Sequence, residues 1–488
     1  MRILWVDDEI EGFKPHILFL QKEGIEVTPV DRPSDALNEL NSGSFDLILL
    51  DYRMPEMDGL TLLREMRKVA PHIPIVLVTM VSDKDVMEES VAEDVFDYLL
   101  KPIQPSQILA IVNRLRANEI KQKILGKKIF TYYQKLQELQ EDAFGWREKA
   151  RIFAESFLEL GKDETIESEL RAENQKFARW VVRNYPRLLQ DEEIPMSHNI
   201  LRRYVLPFLD EDFKIAFFLL DNFRLDQFLE LVRNLSPTLK IRERLYFALL
   251  PTATPFARNA IFAGLLPIEI ERRHSGWLMD NRHEHLLLHE LMQDAGYSWA
   301  SMWLYKIHTA HEMREIEPHG KDFEGYVVNF IDLISHLRHE VDVLKDLIAD
   351  GPSFIKWCKF MLDECNFVKK LESFIDEGYV VFLTADHGWV EGHVPIMVKG
   401  GMELTRGLRY KFGDSLRIAG KDAVMLTELE KYGLPRRRNM GRLALATSYS
   451  YFVYPSDPHR FGKIYRGGIY HGGITLEEMI VPLIEIRG

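Results

Sequence analysis

The stretch "GYVVFLTADHG", residues 378–388, decides how the larger part of this chain folds. From Tyr379 to Leu383 the run is apolar throughout and rich in β-branched and aromatic side chains, which suits a strand buried on both faces. It then ends abruptly in Asp386, His387 and Gly388. An acid and an imidazole side by side look like metal ligands, but two ligands do not make a site. The remaining ligands must come from elsewhere in the sequence.

Working outward, other apolar runs end in the same way. "FKIAFFLLD" (213–221) is a strand that ends in Asp221, with Arg224 and Asp226 close behind. "RERLYFALLPTATPFARNAIFAGLLP" (242–267) reads as strand, turn and helix. It places Thr252 and Thr254 just before helical N–H groups that favour an anion. "VVNFIDLISHLRH" (327–339) spaces Asp332 and His336 by four residues, which puts both on one helix face. A surface ion pair is the alternative reading of that spacing. "GRLALATSYS" (441–450) supplies another strand, and "YHGGITLEEMIVPLIEIRG" (470–488) a loop with His471, a short helix and a last strand. Three aspartates, three histidines and a threonine are enough for two zinc-like sites with mixed nitrogen and oxygen ligands. Two such metals are what in-line phosphoryl displacement requires.

The first 118 residues alternate strands and helices. "RILWV" (2–6), "IEVTPV" (25–30), "FDLILL" (45–50), "IPIVLVT" (73–79) and "DYLLKP" (97–102) are five apolar strands separated by amphipathic stretches such as "DGLTLLREMRKVA" (58–70). The pattern predicts a parallel sheet covered on both faces. Four strand ends carry Asp7 and Asp8, Asp51, Thr79 and Lys101, which converge at the carboxyl edge of such a sheet. Three carboxylates together call for a hard cation, Mg²⁺ above all. Lys101 and Thr79 opposite them suit a phosphoryl group, with Asp51 as the nucleophile that forms an aspartyl-phosphate.

From 119 to 205 the character changes. Apolar residues recur at helical spacing among many charges, and strand signals nearly vanish, as in "KDETIESELRAENQKFARWVVRNY" (162–185). The stretch reads as a helical bundle or linker between two α/β domains. The expected organisation is therefore 1–118, 119–205 and 206–488, in keeping with a length of 488 residues. With 46% hydrophobic and 28% charged residues, the composition is that of a soluble globular protein. A net charge of −13 argues against wholesale coating of DNA, and no helix-turn-helix with a basic recognition helix is evident. Neither a secretion signal nor a membrane span is read, and Cys358 and Cys365 are too few for a disulfide framework. The expected location is cytoplasmic. Residues 406–442 hold ten Lys or Arg against four Asp or Glu. That stretch reads either as a solvated loop or as a phosphate or oligonucleotide groove, with Arg409 and Lys411 as its first candidates.

Two resemblances follow from these residues. "VDDE", "LLDYRMPEMDGL", "LVTM" and "YLLKP" occur in the order and at the spacing of two-component receiver domains, which have a flavodoxin-like five-stranded sheet. The resemblance implies phosphorylation of Asp51 by a sensor histidine kinase, Mg²⁺ binding by Asp7, Asp8 and Asp51, phosphoryl contacts from Thr79 and Lys101, and a switch role for Tyr98. Strand–Asp, Thr before a helix, Asp-x-x-x-His, Asp-His-Gly and a late His-Gly-Gly resemble the alkaline phosphatase superfamily, most closely its PglZ-type domain. That resemblance implies one zinc on Asp221, Thr254, Asp386 and His387, and another on Asp332, His336 and His471. Thr254 becomes the nucleophile, with Arg258 one helical turn on and facing the same anion; Thr252 remains an alternative. His393 has no sure counterpart and is read as a phosphate contact or third ligand. Gly388 is expected to let the chain turn sharply beneath the cluster.

A receiver joined to a PglZ-type domain is similar to the PorX-type response regulators associated with type IX secretion. This implies a homodimer promoted by phosphorylation and cleavage of cyclic or linear oligonucleotides or other phosphodiesters. Phosphomonoester hydrolysis uses the same two-metal chemistry. The competing class is a non-catalytic regulator that binds zinc or nucleotides and docks to a partner such as a sigma factor or a secretion-system component.

Overall fold

Each apolar run of the N-terminal region becomes a strand in the computed structural model, which describes residues 1–80, 95–161, 163–338, 341–400, 407–437, 440–454 and 458–488. The five strands are β1 (Arg2–Val6), β2 (Glu26–Val30), β3 (Leu47–Asp51), β4 (Ile75–Thr79) and β5 (Asp97–Leu100). They pair in parallel in the order β2-β1-β3-β4-β5. The chain direction switches sides between β1 and β3, and ligands of open parallel sheets collect at that crevice. Asp7 follows β1 and Asp51 ends β3, so both acids stand there. β3 and β4 are buried along their whole length, which explains why their sequences show no polar alternation. Asp58 caps the helix Gly59–Val69 by accepting the Thr61 N–H at 2.8 Å.

The chain divides into two units, Met1–Lys127 and Lys128–Gly488, with the boundary inside the helix Pro105–Gln137. The stretch 119–205, expected as a helical module, falls across this boundary. The helices Ala143–Leu160 and Glu164–Leu188 share one hydrophobic core with the second unit. Phe177 packs on Trp146 at 5.3 Å between ring centroids, and it stacks on Phe247 of the sheet at 6.5 Å. Lys149 and Glu173, both buried, pair at 2.6 Å and tie the two helices together. Charged residues on these helices disguised a face that is core.

The second unit is built on a six-stranded sheet. Its members are β6 (Lys214–Leu220), β7 (Lys240–Phe247), β8 (Met302–Ile307), β9 (Phe323–Val328), β10 (Tyr379–Thr384) and the C-terminal strand Ile480–Arg487. The order is β7, the C-terminal strand, β10, β6, β9, β8. β10, β6, β9 and β8 run parallel, and the C-terminal strand is antiparallel to both β10 and β7. β7 therefore points the same way as the parallel strands, and five strand ends open on one edge. The residues following β6, β7, β9 and β10 are the sequence-expected ligands. Two small three-stranded sheets drawn from 394–453 lie between β10 and the end of the chain. Strands β8 and β9 were not read from the sequence. β8 alternates half-buried and exposed residues, and β9 carries Glu324 and Gly325.

Candidate functional site

In the first unit, ligand atoms of Asp7, Asp8 and Asp51 lie within 4.8 Å of one another. Asp7 and Asp51 are buried, Asp8 is exposed, and Lys101 places its Nζ 2.9 Å from a carboxylate oxygen of each buried acid. Burial raises the Asp51 carboxyl above its ordinary range, against the pull of Lys101. Burial would lower the Lys101 ammonium, but Asp7 and Asp51 outweigh it and hold the group above its ordinary value. Thr79 is buried at the end of β4, and Tyr98 lies half-buried on β5, where it packs against the sheet core. The structure thus gathers the acids and Lys101 in one pocket.

The second unit carries two further groups. Asp221, Asp386 and His387 form one, all buried, and Asp332, His336 and His471 form the other. Within each group the ligand atoms lie within 4.8 Å of one another. The His387 and His471 rings stack at 4.3 Å, so the groups adjoin. His336 Nε2 stands 3.2 Å from Asp332 Oδ2 and 3.3 Å from His471 Nε2. The helix Phe330–Leu337 sets the first of these by its four-residue repeat. With its side chain 53% exposed, His336 lies on the open side of the cluster.

The imidazoles are oriented by backbone carbonyls. His387 Nδ1 lies 3.2 Å from Gly388 O, and His471 Nδ1 lies 3.2 Å from Thr252 O. A carbonyl only accepts, so each Nδ1 carries the hydrogen and each Nε2 presents a lone pair to the cluster. Burial lowers both histidines to about 4, which keeps them neutral. Burial also raises Asp221 and Asp386, and the neighbouring Asp221 raises Asp386 further. Burial pushes Asp332 up as well, but His336 and His471 outweigh it and hold that carboxyl below its ordinary range. Asp386 Oδ2 is buried with no hydrogen-bond partner. Neutral imidazoles aimed inward, crowded acids and an orphaned oxygen fit a divalent cation.

Thr254 begins the helix Thr254–Ala263, and its Oγ1 lies 3.3 Å from both Asp221 Oδ1 and His387 Nε2. Thr252 is used differently. Its hydroxyl donates to Gly473 O at 2.8 Å and accepts the Gly472 N–H at 3.2 Å, which closes the His471 loop.

Arg258, Arg409, Lys411 and Gly388 depart from expectation. Arg258 does not face an open anion. Its guanidinium is buried and donates to Asp221 Oδ2, Glu284 Oε1 and Asn329 Oδ1, each at 2.7 Å, so it holds a ligand in place. Arg409 is fully buried and pairs with Glu478 at 2.6 and 2.7 Å, so it is no groove residue. Lys411 is buried too, beside the Tyr454 hydroxyl at 3.2 Å, and burial lowers it to about 8. Arg406, Arg438 and Asn439 of the same basic stretch lie outside the described residues. His393 sits 3.8 Å from Glu391 and belongs to neither ligand group among the described residues. Gly388 does not turn the chain through a left-handed conformation. It is needed because a Cβ there would lie 2.0 Å from Glu477 O. Glu284, Asn329 and Glu478 were missed, since an isolated acid or amide in a sequence reads as surface.

A receiver-type pocket and an alkaline-phosphatase-like cluster on one chain define a response regulator with an enzyme-like second unit. The family comparisons agree. Residues 3–113 match the response regulator receiver domain, and residues 200–486 match the BREX system PglZ alkaline phosphatase-like domain. The chain belongs to this PglZ family and carries a receiver domain ahead of it. Alkaline-phosphatase-like domains generally use metal ions, and the candidate groups above are of that kind. The chain is 34% identical over 135 residues to the cyclic di-GMP phosphodiesterase response regulator RpfG of Xanthomonas campestris, covering 26% of this chain and 36% of that protein. It is 33% identical over 113 residues to the DNA-binding transcriptional regulator NtrC of Escherichia coli K12, covering 23% of this chain and 24% of that protein. The chain thus spans about a third and a quarter of these relatives' lengths. Among solved structures it is similar to a CheY-like receiver domain from Methanospirillum hungatei (28% identity, 25% of this chain, 97% of that one, TM-score 0.24). It is also similar to the response regulator TrrA of Thermotoga maritima in complex with Mg²⁺ and BeF (32% identity, 23% of this chain, 97% of that one, TM-score 0.22). Among the described residues no helix is long and apolar enough to cross a membrane.

Proposed function

We propose that this chain is a response regulator, phosphorylated on Asp51 by a sensor histidine kinase, whose second unit hydrolyses phosphodiesters. The observation that carries the hydrolase reading is the adjacency of two ligand groups to one threonine. Asp221, Asp386 and His387 with Thr254 would hold one ion, and Asp332, His336 and His471 the other. Mixed nitrogen and oxygen donors favour Zn²⁺, whereas the all-oxygen set Asp7, Asp8 and Asp51 favours Mg²⁺. Bound metals would lower the barrier by stabilising charge on the attacking and leaving oxygens. The protein's part is positioning. Thr254 Oγ1 is the nucleophile: its bond to phosphorus forms as the ester bond to the leaving alcohol breaks, and water then releases the phosphoryl group from Thr254. Arg258, steadied by Glu284, keeps Asp221 turned toward the cluster.

Cyclic or linear oligonucleotides are the proposed substrates, with a link to type IX secretion and a phosphorylation-promoted dimer, all by resemblance to PorX-type regulators. Hydrolysis of monoesters is the alternative, because the same chemistry serves it. The test is nitrophenol release from bis(p-nitrophenyl) phosphate and from p-nitrophenyl phosphate, with and without zinc. Faster zinc-dependent release from the diester, lost in Asp386→Ala, supports the proposal. Faster release from the monoester makes it a phosphatase. No release from either under any metal condition leaves a binding module that docks to a partner.

A further inference from the structure

Residues 114–199 lie between the two family matches, yet one of their side chains reaches the ligand loops. Asn174, on the helix Glu164–Leu188, is fully buried. Its Oδ1 accepts the Leu476 N–H at 2.8 Å, and its Nδ2 donates to Glu477 Oε2 at 2.8 Å. The other Glu477 oxygen accepts from the Tyr449 hydroxyl at 2.7 Å. Both Leu476 and Glu477 belong to the short helix Leu476–Met479.

That short helix touches both ligand loops. Glu478 Oε1 accepts the Gly473 N–H at 2.8 Å, two residues past His471. Glu478 O accepts the Gly388 N–H at 3.1 Å, one residue past His387. The close approach of Gly388 to Glu477 O leaves no slack between them. Asn174 itself is held from behind, since its neighbour Glu173 pairs with Lys149 and Phe177 packs into the core. A bland reading exists: a buried amide that merely satisfies a helix-opening N–H. It does not account for the second bond, which fixes a carboxylate already held by Tyr449.

We infer that Asn174 is a positioning residue for the metal cluster. Through residues 476–478 it sets His387 and His471 relative to one another, and so makes the linker helices part of the hydrolytic site. The inference rests on the two-metal reading above. The test uses the full chain, with zinc titrated against a chromogenic chelator, kcat and KM on bis(p-nitrophenyl) phosphate, and thermal melting. Asn174→Ala should weaken zinc binding about tenfold, the lower end of what outer partners of ligands cost. It should lower kcat at saturating zinc and leave KM unchanged, because Asn174 touches no substrate. Asn174→Asp should be worse, since two carboxylates then face each other. The double variant Asn174→Asp with Glu477→Gln exchanges donor and acceptor: the new amide donates to the new carboxylate and still accepts from Tyr449. It should regain zinc affinity and kcat. Equal zinc affinity in wild type and both single variants overturns the assignment, as does a double variant no better than Asn174→Asp. A wild type that binds no zinc sinks the two-metal reading and this inference together.

Discussion

Thr252 and Thr254 stand two residues apart and do different work. Thr254 Oγ1 points at Asp221 and His387, whereas Thr252 Oγ1 is spent on the backbone of Gly472 and Gly473. Thr254→Val is therefore expected to lower kcat about a thousandfold or more, as loss of a nucleophile does. Thr252→Val leaves a buried N–H without its acceptor and should cost about 1–3 kcal/mol of stability. Turnover and denaturant melts separate the two, and an inactive Thr252→Val beside an active Thr254→Val reverses the assignment. Arg258 belongs to the same scale. Arg258→Gln strands Asp221 in the interior and leaves Glu284 to Lys306 alone, and should destabilise the second unit by about 3–5 kcal/mol, read from its urea midpoint. His471 is a candidate only through its glycine-rich loop and the family resemblance; among the other candidate ligands, Asp221 and Asp386 were legible after apolar runs, and Asp332 and His336 by helical spacing. Arg258, Arg409 and Lys411 were not. A sequence shows a charge but not its partner, and Glu284 and Glu478 lie 26 and 69 residues from the arginines they neutralise.

At the scale of elements, legibility follows burial. β3, β4, β6 and β10 are enclosed by the fold and read as continuous apolar runs. β8 lies at the sheet edge, with Trp303 and Tyr305 exposed, and its sequence resembles neither a buried strand nor a clean alternation. The helices 143–188 look like a free bundle because Lys149 and Glu173, buried as a pair, read as a solvated face. Their place in the core gives a prediction. Phe177→Ala should destabilise the second unit by about 3–5 kcal/mol, the usual cost of emptying a core phenylalanine. A melting temperature unchanged by that substitution returns these helices to linker status. The helix Gly59–Val69 offers a pH-dependent case. The Thr61 N–H, more than any other group, lowers the Asp58 carboxyl below its ordinary value. The folded state therefore binds the Asp58 proton less readily than the unfolded chain does. Its contribution, kept small by solvent exposure, is present above the unfolded value of 3.8 and is lost as pH falls through the lower folded value. Asp58→Ala should thus destabilise the receiver at pH 7 and hardly at all at the acid end of that window, checked by urea melts at both pH values.

For the molecule as a whole, the two units imply where the chain can be cut. Residues 128–488 include every element of the second core, so this fragment should fold and retain zinc-dependent hydrolysis. A fragment starting at 206 loses Trp146, Phe177 and Asn174, and should be insoluble or inactive. Activity in the shorter fragment equal to that in the longer one removes the linker helices from the site. The receiver then has to act as a separate switch. Its chemistry is set by Lys101, which bridges Asp7 and Asp51 at 2.9 Å each. A phosphoryl group on Asp51 would add acceptor oxygens able to draw Lys101 and the Thr79 hydroxyl toward them, and would leave Asp7 to a cation. Beryllofluoride with Mg²⁺, or acetyl phosphate, should therefore convert the chain to a dimer, and light scattering reads the mass directly. Asp51→Ala removes the acceptor and should stay at its resting mass under both treatments. Lys101→Ala should still take up the phosphoryl mimic but couple it poorly to dimer formation, because the group that senses the new charge is gone. Equal mass for wild type with and without beryllofluoride counts against a dimer controlled by Asp51.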